Sequence, residues 1–398
     1  MARRGNGEGT ICKRNNGTWE AKITIGYNHE GKPKRLTKYF KTRKEAQEWL
    51  AKIQHEKATG KFVEPHKTTV GEWLERWLND YAKPKTRVTT WNSYEALIRQ
   101  HIKPVVGDIP LVQLQPADLQ RLYNFKRESG RLDGKGGLSP RTVRYLHTVI
   151  HAALAQAVKE GLIYRNVAEA VTLPKQERKE LKPLTREQTL QFLDAAKEDR
   201  LYPAFLLAVY SGLQRGELLA LRWQDVDLKE HTITIRQSIN RTYVSGGGTK
   251  TKLTYLQPKT EKSRRTIPIP AEVVQELRRH KAKQARKKLL GQTCRETDLV
   301  FTAEKGGPID PRNLARKFET LLKKAGLPKV RFHDLRHGFA TMLLKANEHP
   351  KTVQELLGHS TITTTLDIYS HVDEDIKKRA VEKISYMLQK EKSPHARG

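Results

Sequence analysis

Leu357-Gly358-His359-Ser360, and then Thr365-Leu366-Asp367-Ile368-Tyr369-Ser370-His371, put a histidine and a tyrosine ten positions apart near the end of the chain. Three further clusters precede them in order. Ser211-Gly212-Leu213-Gln214-Arg215-Gly216-Glu217-Leu218 runs into Leu221-Arg222-Trp223; Pro258-Lys259-Thr260-Glu261-Lys262-Ser263-Arg264-Arg265 follows; then comes His333-Asp334-Leu335-Arg336-His337. These residue types suit phosphodiester chemistry. His333 and Arg336 are three apart, so on a helix they share a face. Arginine is the natural two-pronged clamp for phosphate oxygens. Lys259, in a turn among basic residues, is placed to protonate a leaving oxygen. A tyrosine hydroxyl forms covalent intermediates, and the threonine-rich approach to Tyr369 reads as a mobile segment poorly suited to a rigid helix. No carboxylate cluster or Cys/His spacing suggests a metal. Singly, each piece has a plainer reading: a solvated His-x-x-Arg face, a packed tyrosine, a surface lysine, a helix-capping histidine. Together, in order over about 160 residues, they point to metal-free phosphoryl transfer through a protein nucleophile.

Composition names the partner. Lys and Arg total 75 against 44 Asp and Glu, a formal charge of +31 spread along the 398 residues. A folded surface of that sign attracts a polyanion, most commonly nucleic acid. Two cysteines, Cys12 and Cys294, make neither a disulfide framework nor a zinc cluster and suit a reducing cytosol. The amino-terminal stretch lacks the apolar run of a signal peptide and no membrane-spanning stretch follows, so a soluble, cytoplasmic, nucleoid-associated protein is expected.

Outward from the motifs, the chain divides. In residues 8–62, Trp19, Ala21, Ile23, Ile25 and Tyr27 alternate with Glu20, Lys22, Thr24 and Gly26, the pattern of a half-buried strand. Turn residues on both sides predict a three-stranded meander, Thr10–Lys13, Trp19–Tyr27 and Arg35–Phe40. A helix opened by the capping box Thr42-x-x-Glu45 should cover one face. The other face stays basic: residues 1–65 hold 15 Lys/Arg against 7 Asp/Glu, and a β-ribbon of this kind fits a major groove. After the joint Glu64-Pro65-His66-Lys67, helical periodicity runs from Thr69 to Leu173, with Ser139-Pro140 starting a long helix after a glycine-rich loop. The charged stretch 174–183 reads as a linker. Residues 184–398 then combine helices with a short sheet, His231–Gln237 and Arg265–Ile269.

The motif order resembles the tyrosine recombinase (phage integrase) family, and the layout is similar to integrases of phages and conjugative transposons over nearly the whole chain. The resemblance implies a multidomain fold. Residues 1–65 would be an α+β arm-site-binding domain, a small three-stranded sheet plus helix. Residues 66–173 would be an all-α core-binding domain, and 184–398 a mainly α catalytic domain with a small sheet. It implies that Tyr369 attacks the scissile phosphate to give a 3′-phosphotyrosyl link and a free 5′-hydroxyl. Arg336 would hold nonbridging oxygens, with His333 and His359 bonding the phosphate and assisting proton movement. Lys259 would protonate the 5′-oxygen, and Glu217 would orient its neighbours. Because the covalent link conserves the bond energy, no cofactor, ATP or metal is expected. The implied partners are double-stranded core and arm attachment sites, a homotetramer exchanging strands through a Holliday junction, and accessory proteins of the excisionase or DNA-bending kind. Lys22, Arg35, Lys38, Arg141, Arg144, Arg264 and Arg265 are the expected DNA contacts. The carboxy-terminal stripe Ile376, Ala380, Val381, Ile384, Met387 and Leu388 would dock on a neighbouring protomer.

One position departs from the pattern. The family's first motif reads Gly-x-Arg, and here the third place is Gln214, with Arg215 one step on. A one-residue step turns a helical side chain by about 100°, so Arg215 is not expected to substitute. Gln offers a phosphate only weaker, neutral hydrogen bonds. The substitution reads as one that stalls the reaction while preserving DNA binding. Two rival readings are weighed against this: a non-catalytic, integrase-like regulator, which Gln214 alone favours, and a type IB topoisomerase, which the sheet module opposes.

Overall fold

The computed structural model describes residues 8–176, 183–243, 251–257, 264–291, 297–369, 381–382, 384–385 and 387. The chain falls into two compact units, Met1–Arg178 and Lys179–Gly398.

The first unit opens with the antiparallel meander β1 (Thr10–Lys13), β2 (Trp19–Tyr27) and β3 (Pro33–Phe40), followed by α1 (Arg43–Ala58). The capping box forms as read: the Glu45 N–H donates to Thr42 Oγ1 and the Thr42 N–H to the Glu45 carboxylate, both at 3.3 Å. Ala21 and Ile23 are buried, as are Ala46 and Ile53 of α1, which packs on β2. Register pairs Lys22 with Thr37 and Thr24 with Arg35, so these share the uncovered face; Lys38 pairs with Ala21 and belongs to the helix-packed side.

The helical part follows. α2 (Val70–Arg76) continues through π-helical Trp77–Ala82 into α3 (Lys83–Lys85). α4 (Val88–Leu97) continues through π-helical Ile98–Ile102 into α5 (Lys103–Val106), and α6 (Pro116–Ser129) and α7 (Pro140–Lys159) complete it. Ser139 caps α7 and Pro140 takes the first helical position, where its missing N–H costs nothing. α7 turns Val143, Leu146, Ile150 and Leu154 into the core, and its Ala153 carbonyl accepts the buried Trp73 indole N–H at 2.9 Å.

The second unit holds α8 (Arg186–Ala196), α9 (Tyr202–Ser211) and the short α10 (Arg215–Leu219). Five strands follow: β4 (Val226–Asp227), β5 (Thr232–Ile235), β6 (Ser238–Tyr243), β7 (Thr251–Leu256) and β8 (Arg265–Pro268). The remaining helices are α11 (Ala271–Leu289), α12 (Pro311–Lys324), α13 (Asp334–Lys345), α14 (Pro350–Leu357) and α15 (Ile362–Tyr369). β4, β5 and β8 form one antiparallel sheet, and β6 and β7 a separate ribbon that the sequence reading did not anticipate. An aromatic cluster of Phe192, Phe205, Phe318 and Phe332, with ring centroids 5.0–6.5 Å apart, joins α8, α9 and α12 to the segment before α13. The threonine-rich stretch expected to be a mobile segment is helical, as α15, and Thr365 is fully buried within it. Of the carboxy-terminal stripe, Val381, Ile384 and Met387 are exposed helical positions; Ile376, Ala380 and Leu388 lie outside the described residues.

Candidate active site

Two helix ends build the site. α9 terminates at Gly212 and α14 at Gly358, both in the left-handed conformation with φ of 59° and 67°. At Gly212 the requirement is steric as well, since a Cβ would stand 2.6 Å from the Phe339 ring and 2.8 Å from Leu357. Helix carboxy-termini carry unsatisfied carbonyls and partial negative charge, which favour a cation. Arg336 supplies it to both: Nη1 donates to the Gly212 carbonyl at 2.9 Å and Nη2 to the Leu357 carbonyl at 2.6 Å. Arg336 is only 3% exposed. Burial, opposed by Glu217 and reinforced by Arg265, pushes its guanidinium down to about 10, so it remains a cation at neutral pH.

A second cation joins it. Arg265, at the start of β8, donates through Nε to the Leu356 carbonyl at 2.7 Å and grips Glu217 with both terminal nitrogens, at 3.1 and 2.9 Å. Glu217 also accepts the Gln214 N–H at 3.0 Å, closing the first turn of α10. This corrects the reading of Arg265 as a surface DNA contact. Its side chain is buried against Glu217 and organises the site from within. Arg264, its neighbour, is exposed and bonded to Gln257 at 3.3 Å. Arg336, Arg265 and Glu217 together leave one net positive charge in a largely buried network, a field that suits an anion.

Three imidazoles lie around these cations. His333 sits at the N-cap of α13, and the His337 ring meets it nearly perpendicular, with centroids 5.0 Å apart. His359 follows the left-handed Gly358; its N–H donates to the Gln354 carbonyl at 3.1 Å and its carbonyl accepts Gln354 Nε2 at 3.0 Å. Its Nδ1 lies 3.0 Å from the Thr365 hydroxyl. Burial, then the charges of His337 and Arg336, bring His333 down to about 4. Burial, then Arg336, brings His359 to about 4 as well. Both are neutral at physiological pH, each able to donate one hydrogen bond and accept another without carrying charge. His337 belongs to the same motif, which by itself implies no role for it. Its Nδ1 is buried without a hydrogen-bond partner among the described residues, and its place four residues after His333 was the available signal.

Gln214 joins this cluster through its backbone N–H to Glu217. Gln214 is exposed at the N-cap of α10. Partial burial lowers the Arg215 guanidinium from its ordinary value, opposed by the carboxylate of Asp310, the N-cap of α12. Tyr369 ends α15, its side chain outside the described residues, and Lys259 lies outside them entirely. Among the expected DNA contacts, Lys22 is paired with Glu20 at 2.9 Å on the uncovered sheet face. Arg35 is exposed on that face, while Lys38 lies on the other, over the Phe40 ring. Arg141 and Arg144 are exposed on the first turns of α7, Arg144 donating to the Pro174 carbonyl at 3.0 Å. Among the described residues no group of His, Cys, Asp and Glu is arranged to hold a metal ion, and no helix is long and apolar enough to cross a membrane.

Comparison with known proteins gives three matches along the chain. Residues 182–375 match the phage integrase family, 69–127 the phage integrase N-terminal SAM-like domain, and 11–57 an arm DNA-binding domain. A tyrosine recombinase XerC-like protein of Caldanaerobacter subterraneus is 31% identical over 376 residues, covering 91% of this chain and 94% of the relative. The ICEBs1 integrase of Bacillus subtilis is 25% identical over 388 residues, covering 95% and 100%. Among solved structures, the Tn1549 transposon integrase in complex with a circular intermediate DNA superposes with a TM-score of 0.65 at 24% identity, covering 80% of this chain and 99% of that one. A lambda integrase tetramer bound to a Holliday junction gives 0.55 at 21% identity, covering 94% and 97%. The fold is shared with both.

Proposed function

The chain belongs to the phage integrase family of tyrosine recombinases, and we propose that it integrates or excises a mobile element by cutting and rejoining DNA at specific sites through a 3′-phosphotyrosyl intermediate. The observation that carries this reading is the convergence of buried Arg336 and two neutral imidazoles, His333 and His359, beside the helix that ends in Tyr369.

In this reading Tyr369 Oη attacks the scissile phosphorus while the bond to the 5′-oxygen breaks. The phenolic proton passes toward the histidines, and Lys259 delivers a proton to the departing 5′-oxygen. Arg336 meets the charge that grows on the nonbridging oxygens, already fixed in place by two carbonyls, so no reorganisation is required during the reaction. Religation is the reverse, with a 5′-hydroxyl from the other duplex attacking the phosphotyrosine. The uncovered basic sheet face of residues 1–65 would bind arm sites, and the helical part with the second unit would bind core sites. Four protomers would work on two duplexes, aided by excisionase or DNA-bending proteins. A lambda integrase tetramer on a Holliday junction and Tn1549 integrase on DNA are the solved parallels for such assemblies.

Gln214 replaces a cationic position of the first motif, and Arg215 lies in the field of Asp310. The reaction of this chain is therefore proposed to be slow while binding is retained. A nicked suicide duplex tests the nucleophile. Covalent adducts formed by the Gln214→Arg protein should vanish when Tyr369→Phe is added, with site binding nearly unchanged, because affinity rests on many phosphate contacts. Adducts that persist in the double variant would remove Tyr369 from its role.

A further inference from the structure

Thr365 carries a hydroxyl with no exposure to solvent. In helix interiors threonine ranks below the good helix formers, so its presence on the buried face of α15 calls for a polar task. The hydroxyl lies 3.0 Å from Nδ1 of His359. His359 is otherwise fixed through its backbone, by two hydrogen bonds with Gln354, which leaves ring rotation as the freedom that the hydroxyl removes. α15 packs on both α13 and α14. Tyr369 is four residues beyond Thr365, one helical turn along the same element.

We propose that Thr365 is a positioning residue that docks the tyrosine-bearing helix onto the site through His359, its hydroxyl donating to Nδ1 and so holding the imidazole as the Nε2–H tautomer. The direction follows from the ligand. Phosphate oxygens only accept hydrogen bonds, and a neutral imidazole donates only through the nitrogen that carries its hydrogen. With Nδ1 accepting from Thr365, Nε2–H is free to donate to the phosphate; in the opposite arrangement Nε2 would turn a lone pair toward an anion. One hydrogen bond then sets two things together, the donor presented to the phosphate and the register of the helix that brings the nucleophile. When α15 leaves its seat, His359 loses its orientation with it.

The inference rests on the roles proposed above for His359 and Tyr369, so its test has a readout that does not depend on cleavage. Ring nitrogens of His359 are followed by 15N NMR in the full chain, in the parent, Thr365→Val and Thr365→Ser proteins, with and without a core-site duplex. Parent and Ser proteins should show the Nε2–H tautomer, and the isosteric Val protein a mixture of both. With Gln214→Arg as background, single-turnover cleavage should fall about tenfold in Thr365→Val, the scale of one lost buried hydrogen bond, and recover in Thr365→Ser, with core-site binding unchanged. A parent that holds the Nδ1–H tautomer, or a Val protein matching the parent in both tautomer and rate, overturns the proposal. Tautomers that respond as stated while no variant, parent included, forms an adduct would support the Thr365 contact and count against the recombinase reading.

Discussion

Arg336 ties together two helix ends, and burial beside it disfavours the charged form of His333 and His359. Both fall from 6.5 to about 4. Between those values the unfolded chain binds protons that the folded chain refuses, so stability falls as pH drops through the window from about 6.5 to about 4 and is unaffected by these groups above it. Equilibrium urea unfolding at a series of pH values, compared with His359→Gln, checks this. The parent should lose stability on acidification more steeply than the variant, and identical slopes would show that the His359 environment does not penalise its charge. At this scale the sequence was legible where spacing fixed geometry: His333 and Arg336 share one end of α13, where the Arg336 N–H donates to the His333 carbonyl. It misled where two like residues are adjacent. Arg264 and Arg265 read as one basic run, yet successive residues at a strand point to opposite faces, and β8 turns Arg265 inward onto Glu217.

Among the elements, the meander β1–β3 followed from alternation and turn residues, and α1 from its capping box. The β6–β7 ribbon did not, because Ile239 is its one apolar residue among the fully buried ones and the polar residues around it hide the period of two. α15 was misread for the opposite reason. Threonine propensity is a weak prior, and packing of Thr365 against His359 overrides it. The π-helical segments Trp77–Ala82 and Ile98–Ile102 lie inside runs of ordinary helical periodicity and carry no separate signal. The sheet module makes the element-scale prediction. Its uncovered face presents Lys22, Thr24, Arg35 and Thr37, and the joint at Glu64-Pro65 separates it from the helices. Deleting residues 1–65 should abolish one class of footprint, the arm sites, while residues 66–398 still protect core sites. A uniform weakening of every footprint would show that the sheet contributes only general charge.

For the molecule as a whole, the charge of +31 is spread along the chain, so affinity for DNA should be distributed over many phosphates and fall steeply with salt. Catalysis, on the proposed reading, would be concentrated in a few groups around Arg336. On that reading Gln214 would remove one cation from the transition state while leaving nearly all of the ground-state contacts. Loss of one preorganised donor to an oxyanion typically costs about 10²–10³ in rate. Single-turnover cleavage of one attachment site by the chain as it stands and by Gln214→Arg, at matched occupancy, measures this directly. Equal binding is expected, with cleavage faster in the Arg protein by roughly that factor. Equal rates would contradict it and show that Arg215, or another group, already does the work assigned to the missing arginine.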